Sequence, residues 1–530
     1  MAGAAAVGAS YSKKIAFVYI FNLIVGVGAL ALPYAFHKAG IISGVMVLAL
    51  NAFMAFICVT FVIEVMSSSN YMLKRNEEGK RLIDNSTSVN LPLEEQQPTK
   101  KKKKKAEQIS PELQTYLSNP FSILERTEIG KMTEQFLGVI GKSIFYVVII
   151  VYLFGDLAIY AVSVPTSLLK VTGPMFGLDP KSTYYIYLGI FSCIVVPFSF
   201  FNFQKTKYLQ YMTLATRNIA FFLMILLSLI FIIEGNGSTK NLQFFNFSME
   251  SFSKLFSISI YAFMCHHSLP SIISPIHDKR RLTIMFVVDF VMIFFAYVCM
   301  CYVAVFAFGE QPFETCSNRI HDGPPCEIQA LFTLNFTTYR YTLIAAFLAL
   351  FPVFTLTSNY PLIAITLRNN TQILFEKVKI IHEWKYNSYL FSALASIPPI
   401  ILAFAYQNIS TLVSFTGGFA GLFIQCIFPT LLAVFARVKV MKMEEELENE
   451  SSYSINAEEP PVQTKSEALK KLGKKIFVFL FTTPRRILKN PHTSPFSQGY
   501  WVIGILLFSL FALVVNSYSL IKCDILQECK

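Results

Sequence analysis

The sequence predicts an all-α polytopic membrane protein with eleven transmembrane helices. Three observations carry that prediction. Of the 530 residues, 54% are hydrophobic and only 15% charged, with 51 phenylalanines, a mix far from that of a soluble globular chain. Apolar runs of roughly 18 to 25 residues, long enough to cross a bilayer, recur eleven times along the chain. Lysine and arginine gather in alternate loops, which is the positive-inside pattern of a multi-pass protein.

The first apolar run, 15–36, follows a short polar lead (1–14) and precedes no small-x-small cleavage site, so it reads as a retained span rather than a signal peptide. The others are 41–66, 144–169, 184–201, 211–233, 253–273, 284–308, 340–364, 388–406, 411–436 and 500–521. Lys100 to Lys105, Lys279-Arg280-Arg281 and Arg485-Arg486 fall on one side, which makes the N-terminus cytosolic and, with an odd number of spans, the tail 522–530 external. The net charge of +12 is thus a topology signal and not a nucleic-acid footprint. Residues 67–143 form a basic cytosolic linker, polar and poor in aromatics over 67–120. Its run Lys100 to Lys105 is either solvated or drawn to anionic lipid. Its end carries Ile129, Met132, Phe136 and Ile140 at spacings of three and four, an amphipathic helix for the cytosolic interface. Residues 437–499 are a second cytosolic linker.

Glycosylation sequons fall in outer loops at Asn236, Asn246, Asn335 and Asn408, although others at Asn85, Asn369 and Asn449 fall inside. Cys316 and Cys326 share an outer loop and Cys523 and Cys529 the outer tail, where disulfides can form; the other six cysteines lie within spans and read as buried thiols. These features imply passage through the secretory route, to the plasma membrane or to an endosomal or lysosomal one.

The first span, "YIFNLIVGVGALALPYAF", carries Gly26 and Gly28 near its middle and Pro33 beyond them. A helix-interior glycine costs about 1 kcal/mol relative to alanine, and lipid has no water for freed peptide groups, so a break there must face protein or a wet cavity. An unwound Gly26-Val27-Gly28 aims the positive end of the half-helix starting near Ala29 at mid-depth, a seat for a carboxylate. The alternative is close helix packing through small residues. Five spans later "YAFMCHHSLPSI" sets Cys265, His266, His267, Ser268 and Pro270 in an apolar run. Spans one and six run in opposite senses, and two interrupted helices at corresponding places of inverted halves mark a secondary transporter's binding site.

These two stretches resemble signatures of the amino acid/auxin permease family, through Asn22, Gly26, Gly28, Leu30, Leu32, Pro33 and Ala35 in the first and Ala262, Phe263, Cys265, His266 and Pro270 in the second. The resemblance covers all eleven spans but neither linker. It implies a five-plus-five inverted repeat of the leucine-transporter type, with the eleventh helix outside the repeat and alternating access around a central site. His267 stands where the sodium-coupled members more often have proline.

Asp156, in "YLFGDLAIY", lies midway along the third span, where a carboxylate costs roughly 2.5 to 3.5 kcal/mol and is a candidate proton acceptor; the alternative is a structural carboxyl bonded to Tyr152 or Tyr160. Arg217 either snorkels from the fifth span or supplies a fixed charge near where related folds hold sodium. His266 and His267 are a relay or a satisfied polar element. Glu64 and Asp289 lie near cytosolic span ends and read as interfacial. In the eighth span Thr355 and Ser358, three apart on one face, are candidate cavity liners. The binding set is thus Asn22, Gly26, Val27, Gly28, Ala29, Cys265, His266, Thr355 and Ser358, with Asp156 and Arg217 for ion coupling.

The expected function is secondary active transport of amino acids or related small zwitterions, coupled to protons or sodium; the alternative is a membrane sensor or scaffold that kept the fold. Nothing converges as a catalytic site needs, so the chain is read as no enzyme, and no metal set or phosphate loop calls for a cofactor. The implied partners are a small solute, a coupling ion and the bilayer.

Overall fold

The computed structural model describes residues 11–87, 118–174, 177–201, 207–235, 242–246, 248–309, 327–337, 339–376, 387–453 and 490–525, with Tyr116 and Gly237. Lys100 to Lys105, Cys316, Cys326, Cys529, Asn236 and the side chain of Cys523 lie outside the described residues. Within them the chain is helical, and one isolated backbone bridge, Tyr11 to Ile276, stands in place of any sheet.

Among the described residues nine helices are long and apolar enough to cross a bilayer, and the pair Lys13–Ile24 and Val27–Ala39, bent by 53°, makes a tenth candidate span. The expected sixth span, 253–273, is instead divided: the chain there forms Met249–Ala262, a 3-10 turn at His266–Ser268 and Leu269–Ile273, helical pieces of 14 and 5 residues that are each too short to cross alone. The all-α polytopic class holds, and spans one and six are both interrupted, as an inverted pair requires. Span two is Ile41–Thr87, three Ile129–Thr172, four Pro180–Ser199, five Lys207–Ile233, seven Leu282–Phe308, eight Thr342–Leu374, nine Asn387–Ala405 and eleven Gly499–Ser519. Span ten runs over 409–453 and passes through π-helical turns at Thr416–Gly421 and Phe423–Ile427.

Local chemistry sets the ends. Asp179, Ser248 and Asn408 cap the backbone N–H groups of Ser182, Ser251 and Thr411 at the starts of spans four, six and ten. Gly40, at φ 90°, turns the chain from span one into span two without a spacer. The segment 242–246 closes over that turn: Gln243 and Phe244 carbonyls accept from Ile41 and Ile42 N–H, and Asn246 N–H donates to Ala39 O.

Several expectations change. Span two does not stop at residue 66, and Ser67, Ser68, Ser69 and Asn70 are buried because the chain returns over them. Ser67 donates to Phe121 O at 2.6 Å, Asn70 Oδ1 accepts from Leu124 and Glu125 N–H, and Tyr71 stacks on Phe121 at 4.3 Å. The amphipathic helix is separated from span three by one residue, Gly138, at φ 75° and ψ −168°, a conformation open to glycine. Ile129, Met132 and Phe136 are buried, but Ile140 lies past that kink and is 77% exposed. Glu64 is not interfacial: it and Arg437 are each 1% exposed and form a two-pronged ion pair, both contacts 2.6 Å, joining spans two and ten. Asp289 is also fully buried. Cys193 and Cys299 are exposed, while Cys58, Cys265, Cys301 and Cys426 are buried thiols.

The sequon asparagines Asn246, Asn335 and Asn408 all have their amides hydrogen-bonded within the fold. Asn335 is 1% exposed, its Oδ1 accepting from Gln329 N–H and its Nδ2 donating to Glu327 O. The amide of Asn246 is committed to Lys38 O and Ser248 N–H. Asn408 is exposed, with Oδ1 used as a helix cap.

Candidate functional site

The two glycines of span one do different work. Gly26 is extended (φ −121°, ψ −151°) and stands at the N-cap of the second half-helix, and a Cβ placed on it would meet only Ile24 O, at 3.9 Å. Gly28 starts the second half-helix against span six, where a Cβ would come within 2.8 Å of Ala262 Cα and of the Tyr261 ring. Interruption and close packing are therefore both realised, two residues apart.

Three carbonyls at the breaks are held by side-chain donors. Arg217 of span five donates Nη1 to Asn22 O at 2.5 Å, and Asn218 donates to Asn22 Oδ1 at 2.8 Å. From span seven, the buried Tyr297 hydroxyl lies 3.0 Å from Ile24 O and 3.1 Å from Ala262 O, so one side chain spans both breaks. Nothing in the sequence near Tyr297 announces this; it follows from how span seven crosses the pair.

Beside the breaks lies a cavity of about 500 Å³, a volume suited to a small solute. Its floor is the backbone of Val25 to Leu30, and Asp156 with Tyr152 and Tyr160 line it from span three. Spacings of four place these three on one face of the helix. Span six contributes Tyr261, Met264, His267, Ser268 and Ser271, span eight Phe351, Pro352, Thr355 and Leu356, and span five Arg217, Phe221 and Met224. The lining continues past Arg126, Glu128 and Gly130 to Thr366, Asn369 and Asn370, which opens the cavity at the end where span three begins and span eight finishes. From span one the lining goes no further than Leu30 toward the other end.

Of the expected site residues, Gly26, Val27, Gly28, Ala29, Asp156, Arg217 and Thr355 line this cavity. Asn22 does not, being bound to span five. His266 turns away, its Nε2 3.0 Å from Ala55 O on span two, and Cys265 is packed with it behind the wall; the next residue, His267, faces the cavity instead. A 3-10 turn rotates successive side chains by about 120°, so a hydropathy reading cannot choose between neighbours. Ser358 donates to Thr355 O and is absent from the lining. The partner of Asp156 is neither Tyr152 nor Tyr160 but Tyr261, whose hydroxyl donates to Oδ1 at 2.7 Å.

A helical membrane bundle with a solute-sized cavity between two interrupted spans is the architecture of a membrane transporter. The chain belongs to the family of transmembrane amino acid transporter proteins, whose model matches residues 10–451. It is 40% identical over 540 residues to the transmembrane protein 104 homolog of Dictyostelium discoideum, covering 98% of this chain and 99% of that one. It is 37% identical to transmembrane protein 104 of Homo sapiens (81% and 88% covered) and 33% identical to the Drosophila melanogaster homolog (81% and 89%). Among solved structures, that of Mhp1 in an inward-facing conformation is similar with a TM-score of 0.49 at 9% identity, over 96% of this chain and 92% of that chain.

Proposed function

We propose that the protein is a secondary active transporter of amino acids or related small zwitterions, working by alternating access and coupled to protons. The observation that carries this reading is the cavity between the two broken spans, opening toward one end of the bundle. The positive-inside bias puts that end in the cytosol, so the conformation described is inward-open. The half-helix Val27–Ala39 starts at the cavity, with no side-chain cap on its N-terminus, so its positive dipole end suits the solute's carboxylate.

Proton rather than sodium coupling is supported by the fate of the freed carbonyls. In interrupted spans such carbonyls are what coordinates a metal cation. Here Asn22 O accepts from a guanidinium, and Ile24 O and Ala262 O share a tyrosine hydroxyl. Asp156 lines the cavity as a carboxyl able to carry the proton. Uptake of a labelled amino-acid pool into proteoliposomes tests this: flux driven by a pH difference without sodium is expected. A strict sodium requirement overturns the coupling, and saturable binding without flux makes the protein a sensor.

A further inference from the structure

We propose that Asp156 and the ring faces around it seat the substrate's ammonium group, so that ammonium and proton occupy the same carboxyl by turns and the carrier exchanges one for the other. The seat stands on geometry; the exchange rests on the transport reading above.

A zwitterion whose carboxylate sits at the Val27–Ala39 N-terminus needs acceptors for its N–H groups. Three carbonyls of the breaks, those of Asn22, Ile24 and Ala262, are already taken by Arg217 and Tyr297. The cavity supplies another place. Tyr152 and Tyr160 flank Asp156 one turn before and one turn after it, and Tyr261 and His267 face it from span six. The ring centroid of Tyr152 lies 6.1 Å from that of Tyr261 and 5.5 Å from that of His267, so a cation beside one of these rings is close to its neighbours, and cation–π attraction acts within about 6 Å of a centroid. Tyr261 occupies Oδ1 of Asp156, and Oδ2 takes no hydrogen bond from the described residues. The titratable or charged groups facing this carboxyl are Tyr152 and Tyr160 from its own helix, Tyr261 and His267 from span six, and Arg217 from span five across Tyr160; span eight presents Thr355 and span ten Thr416, neither of which titrates.

Recognition by a carboxylate and π faces differs from recognition by carbonyls in one respect: it reads charge and not N–H donors. N-methylation of the substrate is then tolerated, and loss of the cation is not. Binding to the purified full-length protein in nanodiscs is measured by calorimetry for pooled α-amino acids, the same pool as N-trimethyl betaines and the same pool N-acetylated. Amino acids and betaines are expected to bind and N-acetyl forms not to. Affinity should fall by up to about tenfold per pH unit on acidification, as protons compete. Asp156→Asn should weaken binding at least about thirtyfold, the loss for removing one partner of a buried charge pair, and flatten the pH profile. Should that variant fail to fold, Tyr152→Leu and Tyr160→Leu are expected to weaken betaines more than primary amines. N-acetyl binding equal to that of the amino acids, or unchanged affinity in both tyrosine variants, overturns the seat. In proteoliposomes loaded with a pH dye, protons should move against the solute. Co-movement overturns the exchange, whereas binding without any flux removes the transport reading and leaves the seat standing.

Discussion

At the scale of single residues, the pair Gly26 and Gly28 shows that like residues two apart meet unlike constraints. Gly28 is needed because the backbone of span six passes within 2.8 Å of where its Cβ would be, whereas Gly26 has free space around it and a φ of −121° that other residues adopt. Gly28→Ala is therefore expected to destabilise the protein by about 1–3 kcal/mol through overpacking, and Gly26→Ala to leave it as stable or to stabilise it by under about 1 kcal/mol. Thermal unfolding in nanodiscs measures both, and equal effects would mean that the two helices do not meet at Gly28. The glycine doublet was legible in the sequence as a break or a contact. Which glycine did which was not, since the deciding atoms belong to Tyr261 and Ala262, more than two hundred residues away.

At the scale of helices, the buried pair Glu64–Arg437 ties span two to span ten and reaches further. Glu64 Oε2 also accepts from Ser494 N–H at 3.0 Å, and Arg437 Nη1 donates to Ser497 O at 3.0 Å, so the segment leading into span eleven is fastened by the same two side chains. Removing one charge leaves the other buried and uncompensated, a cost of about 3–5 kcal/mol, while replacing both with apolar residues of similar volume is close to neutral. Glu64→Ala should thus lower the unfolding temperature sharply and Glu64→Met with Arg437→Met should restore it; an equally unstable double variant would show that the bonds to Ser494 and Ser497 matter more than the pair. Hydropathy placed Glu64 near a span end and read it as interfacial. It missed the pair because the partner lies 373 residues along the chain.

For the whole molecule, segments distant in sequence are fastened to one another at the end of the bundle where span one begins. Tyr11 pairs with the loop after span six, Lys13 meets Asp278 at 3.1 Å, and the Tyr116 hydroxyl bonds His492 Nε2 at 2.9 Å. The contacts with Arg280 and Lys13 hold Asp278 below the usual carboxylate range despite its desolvation. Burial, and then the nearby Lys279, pushes His492 down to about 4. A histidine kept neutral in the fold binds fewer protons than it does when released, so its docking is favourable above its ordinary value of 6.5 and is lost progressively as pH falls toward about 4. Hydrogen exchange over residues 490–498 is expected to speed up on going from neutral pH to pH ~5, beyond the intrinsic pH effect, and His492→Phe to flatten that response. An unaltered profile in the variant would assign the response to another group.

What the sequence determined by itself is what depends on composition and short period. Spans that must bury their own backbone in lipid declare themselves by apolar length, so the helical class and the two interrupted segments could be read directly. A titratable residue such as Asp156 in mid-membrane is costly enough to stand out without coordinates. Tertiary structure decided the rest: that Tyr261 holds Asp156, that His267 and not His266 faces the cavity, and that Tyr297 bridges the two breaks. Those are facts about side-chain azimuth and about meetings between distant spans. A short irregular turn resets azimuth with each residue, and helix packing brings together residues that no local pattern connects.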